Sequence, residues 1–377
     1  MSVYNEMGLK KIINASGKMT ILGGSILDSR VSDYMKLAAS DFVEMDKLID
    51  KAGKLIANYV GAEDACVTIG AAAGIALSVA AVITQGDLDK IEKLPLVEDN
   101  KRNILIQKGH AVNFGAPIIQ MIRLSGGNPI EVGQTNEVNR YNIEGNIDEN
   151  TKALLYVKSH HCVQKGMVPL EDVIDIGKKC NVPIIVDVAA EEDLKKYLEL
   201  GADLVIYSGG KAISGPTSGF IAGKKELIKN CKLQYQGIGR AMKVSKESIV
   251  GLVKAMEIYC EENHDEEPKE QRKMMEWLME KINKIDGLRS SVEKDEANRE
   301  IYRLKISVNK ERFGMDAKDI IEHLKNGDPQ VFTRNHYANI GLIYIDPRPL
   351  NKDDEKEIFN RFTEISKIGK EGKNNDR

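Results

Sequence analysis

Between about residue 47 and residue 230, short aliphatic runs alternate with amphipathic stretches of helical period. Few folds accept that alternation other than a parallel sheet with crossover helices. The clearest strand candidates are Ala65–Ile69, Asn103–Ile106, Ala153–Val157, Val182–Val186 and Leu204–Tyr207, and helical periodicity fills most gaps, as at Leu170–Lys179. Runs this apolar require cover on both sheet faces. After about Glu257 the character changes: the charge run EENHDEEPKEQRK precedes an amphipathic helix (Met274, Met275, Leu278, Ile282) and strand-like pieces at Ile301–Val308 and Ile340–Tyr344. The charge run reads as a solvated helix face or loop. The expected organisation is an N-terminal segment (1–46), a large α/β domain (47–256), a small α+β domain (257–365) and a flexible tail (366–377).

Composition removes several classes of function. The 377 residues carry a net charge of −3, with Lys and Arg spread along the chain, so no basic stripe exists to neutralise nucleic-acid phosphates. The opening MSVYNEMGLKKIINASG lacks the layout of a signal peptide, and no run reaches the roughly 18 apolar residues that span a bilayer. No membrane partner and a cytoplasmic location are expected. Five widely spaced cysteines, an odd number with no C-x-x-C pair, point to reduced thiols rather than disulfides or a zinc knuckle. His160-His161-Cys162 does not change that: adjacent residues on a strand point to opposite faces, so no metal site is expected.

Three short segments carry chemistry. In LVIYSGGK (204–211), two glycines turn the chain tightly after a buried strand and present Lys211, a side chain that can act as a nucleophile or stand as an ordinary loop lysine. Asp187 ends the strand VPIIVD about one helix and one strand earlier, so both side chains would reach one crevice. A carboxylate there suits the protonated nitrogen of a pyridine ring; capping the next helix is the alternative. Gly70-Ala71-Ala72-Ala73-Gly74 lies between a strand and the apolar helix IALSVAAVI, where small side chains allow backbone N–H groups and the helix dipole to meet a phosphate. Close helix packing would use the same residues, and neither the dinucleotide fingerprint nor a P-loop is present. An anion cup, an Asp and a Lys, each on its own strand end of one parallel sheet, together favour pyridoxal 5'-phosphate (PLP).

These residues, with INASG (13–17), QKGHAVNFGAP (107–117), IIVDVAA (184–190) and DLVIYSGGKAISGPTSGFIAGKKELI (203–228), resemble fold-type I PLP enzymes of the bacterial selenocysteine-synthase branch, and within it the D-glucosaminate-6-phosphate ammonia-lyases. The resemblance implies the fold-type I PLP-transferase architecture. It gives Lys211 the Schiff base, Asp187 the pyridine nitrogen and Gly70, Ala71, Ala72 and Ala73 the phosphate. His110 matches a position near the ring, where an imidazole could stack, a buried hydrogen-bonded histidine being the alternative. Ser208 is a phosphate ligand or a plain turn serine. Arg240, in GIGRAMKVSK, matches a segment that approaches the phosphate from a neighbouring subunit, which implies a homo-oligomer with active sites near subunit interfaces. Arg334 falls where such enzymes grip a substrate carboxylate, a task suited to a guanidinium; His160 or His161 would face the substrate.

The resemblance thus implies α,β-elimination from a phosphorylated amino sugar acid, D-glucosaminate 6-phosphate, giving a 2-keto-3-deoxy acid and ammonia. Lys211 is the natural base, with the general acid open among His160, His161 and Lys211. The chain begins almost at once with LKKIINASG and is slightly acidic, so a tRNA-borne substrate is disfavoured. A selenocysteine-synthase-like transferase, another β-eliminating lyase, a non-catalytic PLP-binding regulatory protein and a sugar- or nucleotide-binding module remain the alternatives.

Overall fold

The computed structural model describes residues 3–159, 161–264, 266–295 and 300–375. Strand β1 (Ile12–Ala15) lies parallel to Gln330–Thr333, with Ile12 opposite Gln330 and Ala15 opposite Thr333. That pairing groups Met1–Gly24 with Glu262–Arg377 in one compact unit, while Ser25–Glu261 forms the other. The expected separate segment over 1–46 is therefore divided at Gly24. The second unit runs to 261 rather than 256, because the Lys246–Glu261 helix packs along its length on Ser29–Ala39 and Met45–Val60.

In the Ser25–Glu261 unit, strands β2 (Asp64–Thr68), β3 (Asn103–Gln107), β4 (Asn128–Val132), β5 (Thr151–Val157), β6 (Ile184–Asp187), β7 (Leu204–Ser208) and β8 (Gly219–Gly223) form one sheet in the order β2-β8-β7-β6-β5-β3-β4. Only β8 runs antiparallel to its neighbours. The strands expected from aliphatic runs are present, with β6 shifted to 184–187; β4 and β8 were not expected. Alternate side chains divide between two cores. Leu105, Tyr156, Val186 and Tyr207 pack with the Met45–Val60, Leu170–Cys180 and Lys246–Glu261 helices, whereas Ile106, Val157, Ile185 and Ile206 pack with the Ala71–Thr84, Ile118–Leu124 and Lys225–Leu233 helices. Each fully buried aliphatic side chain contributes about 1.5–3 kcal/mol, which is why runs apolar on both faces settle in the middle of a covered sheet.

This topology sets the position of the chemistry. Because β8 is antiparallel to both β2 and β7, the carboxyl ends of β2, β3, β5, β6 and β7 share one sheet edge. Ligands of open α/β sheets bind outside that edge. The Gly70 turn, His110, Lys158 and Lys211 follow four of these strand ends, and Asp187 is the last residue of the fifth, β6.

In the other unit, β9 (Leu288–Lys294), β10 (Tyr302–Val308) and β12 (Leu342–Ile345) form an antiparallel sheet in the order β12-β10-β9, and β11 (Gln330–Thr333) is the partner of β1. The Glu267–Ile282, Ala317–Lys325 and Asp354–Asn375 helices surround a core containing Ile13, Leu278, Leu304, Phe313, Ile320, Val331 and Phe362. The Glu267–Ile282 helix starts inside the charge run, and the last helix continues to Asn375 where a flexible tail from 366 was expected. Ile365, buried on that helix, extends its apolar face toward the end of the chain. Among the described residues no helix is long and apolar enough to cross a membrane.

Candidate active site

Asp187 is the last residue of β6, and its side chain is buried. Oδ1 accepts a hydrogen bond from Ala189 N–H at 3.2 Å. Burial pushes its carboxyl up to about 6, although the Lys211 charge and the Ala189 N–H both oppose the rise. Lys211 responds in the complementary way: burial pulls its amine below the usual lysine range, and Asp187 pulls it back. For both groups desolvation outweighs their mutual attraction.

The lysine turn is held from several sides. Gly209 N–H donates to Ser218 O at 2.8 Å, Gly215 N–H to Gly209 O at 2.7 Å and Ser214 N–H to Lys211 O at 3.1 Å. A Cβ on Gly209 would lie 2.2 Å from Ser218 Oγ, so only glycine permits this approach. Sequence reasoning missed Ser25, whose hydroxyl donates to Gly210 O at 2.9 Å and lies 3.5 Å from Lys211 O. No local signal could have found that contact, since the two segments are far apart in the chain. Ser208 closes β7 and is partly open; its N–H donates to Ala189 O at 3.3 Å, linking it to the Asp187 turn.

Gly70 is the N-cap of the Ala71–Thr84 helix and supplies no side-chain cap. Gly70, Ala71 and Ala72 are partly open, whereas every residue from Ala73 to Thr84 is buried. The first-turn N–H groups of an α-helix lack intrahelical acceptors. Gly70 to Ala72 form an open, uncapped helix start, while Gly74 serves packing, for a Cβ there would meet Ile206 Cγ2 at 2.6 Å.

His110 is completely buried, with its ring edge-on to Tyr156 at 4.6 Å between centroids. Val157 N–H donates to its Nδ1 at 3.3 Å. A neutral ring so engaged carries its proton on Nε2, a buried atom with no hydrogen-bond partner among the described residues. Burial, and secondarily the Lys158 charge, pull the imidazole down to about 4, so it stays neutral. The fully covered ring fits the hydrogen-bonded alternative rather than a face open for stacking. His160 lies outside the described residues, and His161 is exposed, its N–H donating to Ser159 Oγ at 3.3 Å. The neighbour that senses Asp187 is Cys162, whose buried thiol is pushed up to about 12 by desolvation and by that carboxylate.

Arg240 is exposed in the Ile238–Met242 turn. Arg334, in the Met1–Gly24 and Glu262–Arg377 unit, is mostly buried; its Nη1 lies 3.9 Å from Asp346 Oδ2. Burial and the adjoining Arg303 charge lower it, partly offset by Asp346.

Comparisons with known proteins give this site its setting. The chain is 44% identical over 365 residues to a D-glucosaminate-6-phosphate ammonia lyase of Salmonella typhimurium, covering 97% of this chain and 98% of that one. It is 38% identical over 364 residues to a 5'-C-glycyluridine monooxygenase-decarboxylase of a Streptomyces species, covering 96% and 91%. A solved structure of D-glucosaminate-6-phosphate ammonia-lyase superposes with a TM-score of 0.92 at 43% identity, covering 98% of this chain and 99% of that one. An aspartate aminotransferase of Thermotoga maritima shares the fold alone, with a TM-score of 0.54 at 15% identity and coverage of 97% and 94%. A family model described as L-seryl-tRNA selenium transferase (SelA) matches residues 12–320, and the chain belongs to that family, within the fold-type I architecture.

Proposed function

We propose that this protein is a PLP-dependent ammonia-lyase that converts D-glucosaminate 6-phosphate to 2-keto-3-deoxy-6-phosphogluconate and ammonia, working in the cytoplasm as a homo-oligomer. The observation that carries the reading is buried Asp187 at the end of β6 in electrostatic reach of partly buried Lys211 just beyond the adjacent strand β7, in a chain 44% identical to a relative of that activity. The donor set fits the cofactor. Asp187 is an acceptor for a pyridine N–H, Lys211 an amine for an aldehyde, and the uncapped start of the Ala71–Thr84 helix a cradle for a phosphate. Nε2 of His110 adds a buried donor in need of an acceptor.

PLP, when bound, supplies an electron sink that lets negative charge develop at the substrate α-carbon. Gly70, Ala71, Ala72, Ala73 and Ser208 would hold its phosphate, with Arg240 of a neighbouring protomer as a further ligand. Asp187, as an anion, would hold a proton on the ring nitrogen. Lys211, with its amine lowered by burial, is nearer to the neutral form that acts as nucleophile and as base toward the α-proton. Arg334 takes the substrate carboxylate, and His160 or His161 serves the substrate; the proton for the departing β-hydroxyl comes from one of these histidines or from Lys211. Across the cycle one water leaves from C2 and C3 and one is taken up as the C–N bond is hydrolysed, so substrate yields keto acid and ammonia in equal amounts.

Ammonia release from D-glucosaminate 6-phosphate, measured beside serine and threonine, tests the reading. Turnover of the sugar acid is expected, with Lys211→Ala lowering it by at least about a hundredfold and removing the visible absorption of the purified protein. No turnover of the sugar acid would remove the assignment. Carbon dioxide is measured in the same assay, because a relative at 38% identity carries the name of a decarboxylase.

A further inference from the structure

Three guanidiniums meet at one carboxylate in the Met1–Gly24 and Glu262–Arg377 unit. Asp346 is fully buried and follows β12; its N–H donates to Ala15 O at 2.8 Å, at the INASG turn. Oδ1 accepts from Arg348 N at 3.2 Å and Arg348 Nε at 2.9 Å. Oδ2 accepts from Arg348 Nη2 at 2.9 Å and Arg303 Nε at 2.8 Å. Arg303 is also bonded to Asp295, itself buried.

An ionised carboxylate offers about four acceptor positions. Those of Asp346 are all taken, three of them by Arg348. The third arginine, Arg334, reaches Oδ2 only at 3.9 Å, an ion-pair distance that is too long for a hydrogen bond. Among the described residues, three arginines stand against Asp346 and Asp295. Arg334 is the member of the trio without a hydrogen-bonded carboxylate among the described residues.

We infer that Arg348 is a positioning residue: by saturating Asp346 it prevents that carboxylate from capturing Arg334, and so keeps the Arg334 guanidinium available to an oxyanion of the substrate. This rests on the reading of Arg334 as a substrate-binding residue. The sign follows from both effects of removing Arg348. Two acceptor positions on Asp346 open next to Arg334, those filled by Arg348 Nε and Nη2, and one cation is lost, and each weakens the hold on an anion. A lysine at 348 restores the charge but a single ammonium cannot reproduce the fork and the Nε contact together.

The test is steady-state kinetics of the holoenzyme with D-glucosaminate 6-phosphate and with unphosphorylated D-glucosaminate. Arg348→Gln is expected to raise KM about tenfold with kcat within about twofold, the mark of lost uniform binding. Arg348→Lys should remain several-fold above wild type. In an Arg334→Gln background, Arg348→Gln should add nothing, since its effect passes through Arg334. A KM increase equal for both substrates identifies the carboxylate as the oxyanion bound; an increase confined to the phosphorylated one identifies the phosphate. Thermal midpoints confirm folding, and Arg348→Lys, which retains the charge, carries the test if Arg348→Gln does not fold. The inference is overturned if Arg334→Gln raises KM while Arg348→Gln does not, if Arg348→Lys equals wild type, or if the two glutamine variants multiply. An unchanged KM in Arg334→Gln would instead sink the role given to Arg334.

Discussion

A carboxyl raised to about 6 from an ordinary 3.8, as in Asp187, has a consequence for stability. The folded state holds this proton more tightly than the unfolded chain does. The group's contribution is therefore most favourable below about pH 4 and is lost as pH rises through about 6, by at most about 3 kcal/mol at 1.4 kcal/mol per pH unit. Cofactor-free Asp187→Asn is thus expected to gain stability over wild type at pH 8 and to lose that gain near pH 4, as measured by urea midpoints at the two pH values. A variant that shows no pH-dependent difference would mean that Lys211 already neutralises the carboxylate. Lys211 and Asp187 could be singled out in the sequence because Asp187 ends, and Lys211 closely follows, a strongly aliphatic strand. The cluster of Asp346, Arg348, Arg303 and Arg334 could not be, because it is a meeting of three segments that no local pattern encodes.

At the level of elements, the five strands of the sheet that were expected are those with nearly continuous aliphatic runs, which fit burial on both faces. The sequence Asn128-Pro129-Ile130-Glu131-Val132 hides β4 because proline and polar residues belong to an edge strand, and β4 is at the edge. In β8, the glycines of GFIAG interrupt the aliphatic run that marks the other strands, yet Gly219 and Gly223 sit where neighbouring backbones leave no room for a Cβ. The Lys211 turn joins β7 to β8, so both of its ends are fixed in the sheet, and Ser25 ties its middle. Ser25→Ala removes a hydrogen bond worth about 1 kcal/mol. It should accelerate amide exchange in residues 209–218 and lower kcat several-fold, with Ser25→Thr recovering most of both; unchanged exchange would dismiss Ser25 as a support of the turn.

For the whole molecule, exposed Arg240 and a run of exposed apolar side chains, Ile26, Leu37, Phe42 and Val43, belong to the same unit. If Arg240 serves a neighbouring protomer, two inactive variants should complement. Mixed after dissociation, Lys211→Ala and Arg240→Ala chains would recover about a quarter of wild-type activity in a dimeric pairing, because half of the dimers are mixed and each holds one complete site. Absence of recovery, with mixed oligomers demonstrated by mass, would assign Arg240 to its own protomer or to no site. The sequence announced two cores but not their membership, since the first strand belongs with the last third of the chain.

That first strand also orders events on the ribosome. Ile12 leaves the exit tunnel early, but its partner Gln330 is about 320 residues behind, on the order of tens of seconds at ordinary rates of synthesis. The sheet carrying Lys211 can close well before then, while β1 keeps an unpaired edge that invites chaperones or a wrong strand. Nascent chains stalled before residue 330 should accordingly be bound by holdases through residues 12–15, and released once β11 is out.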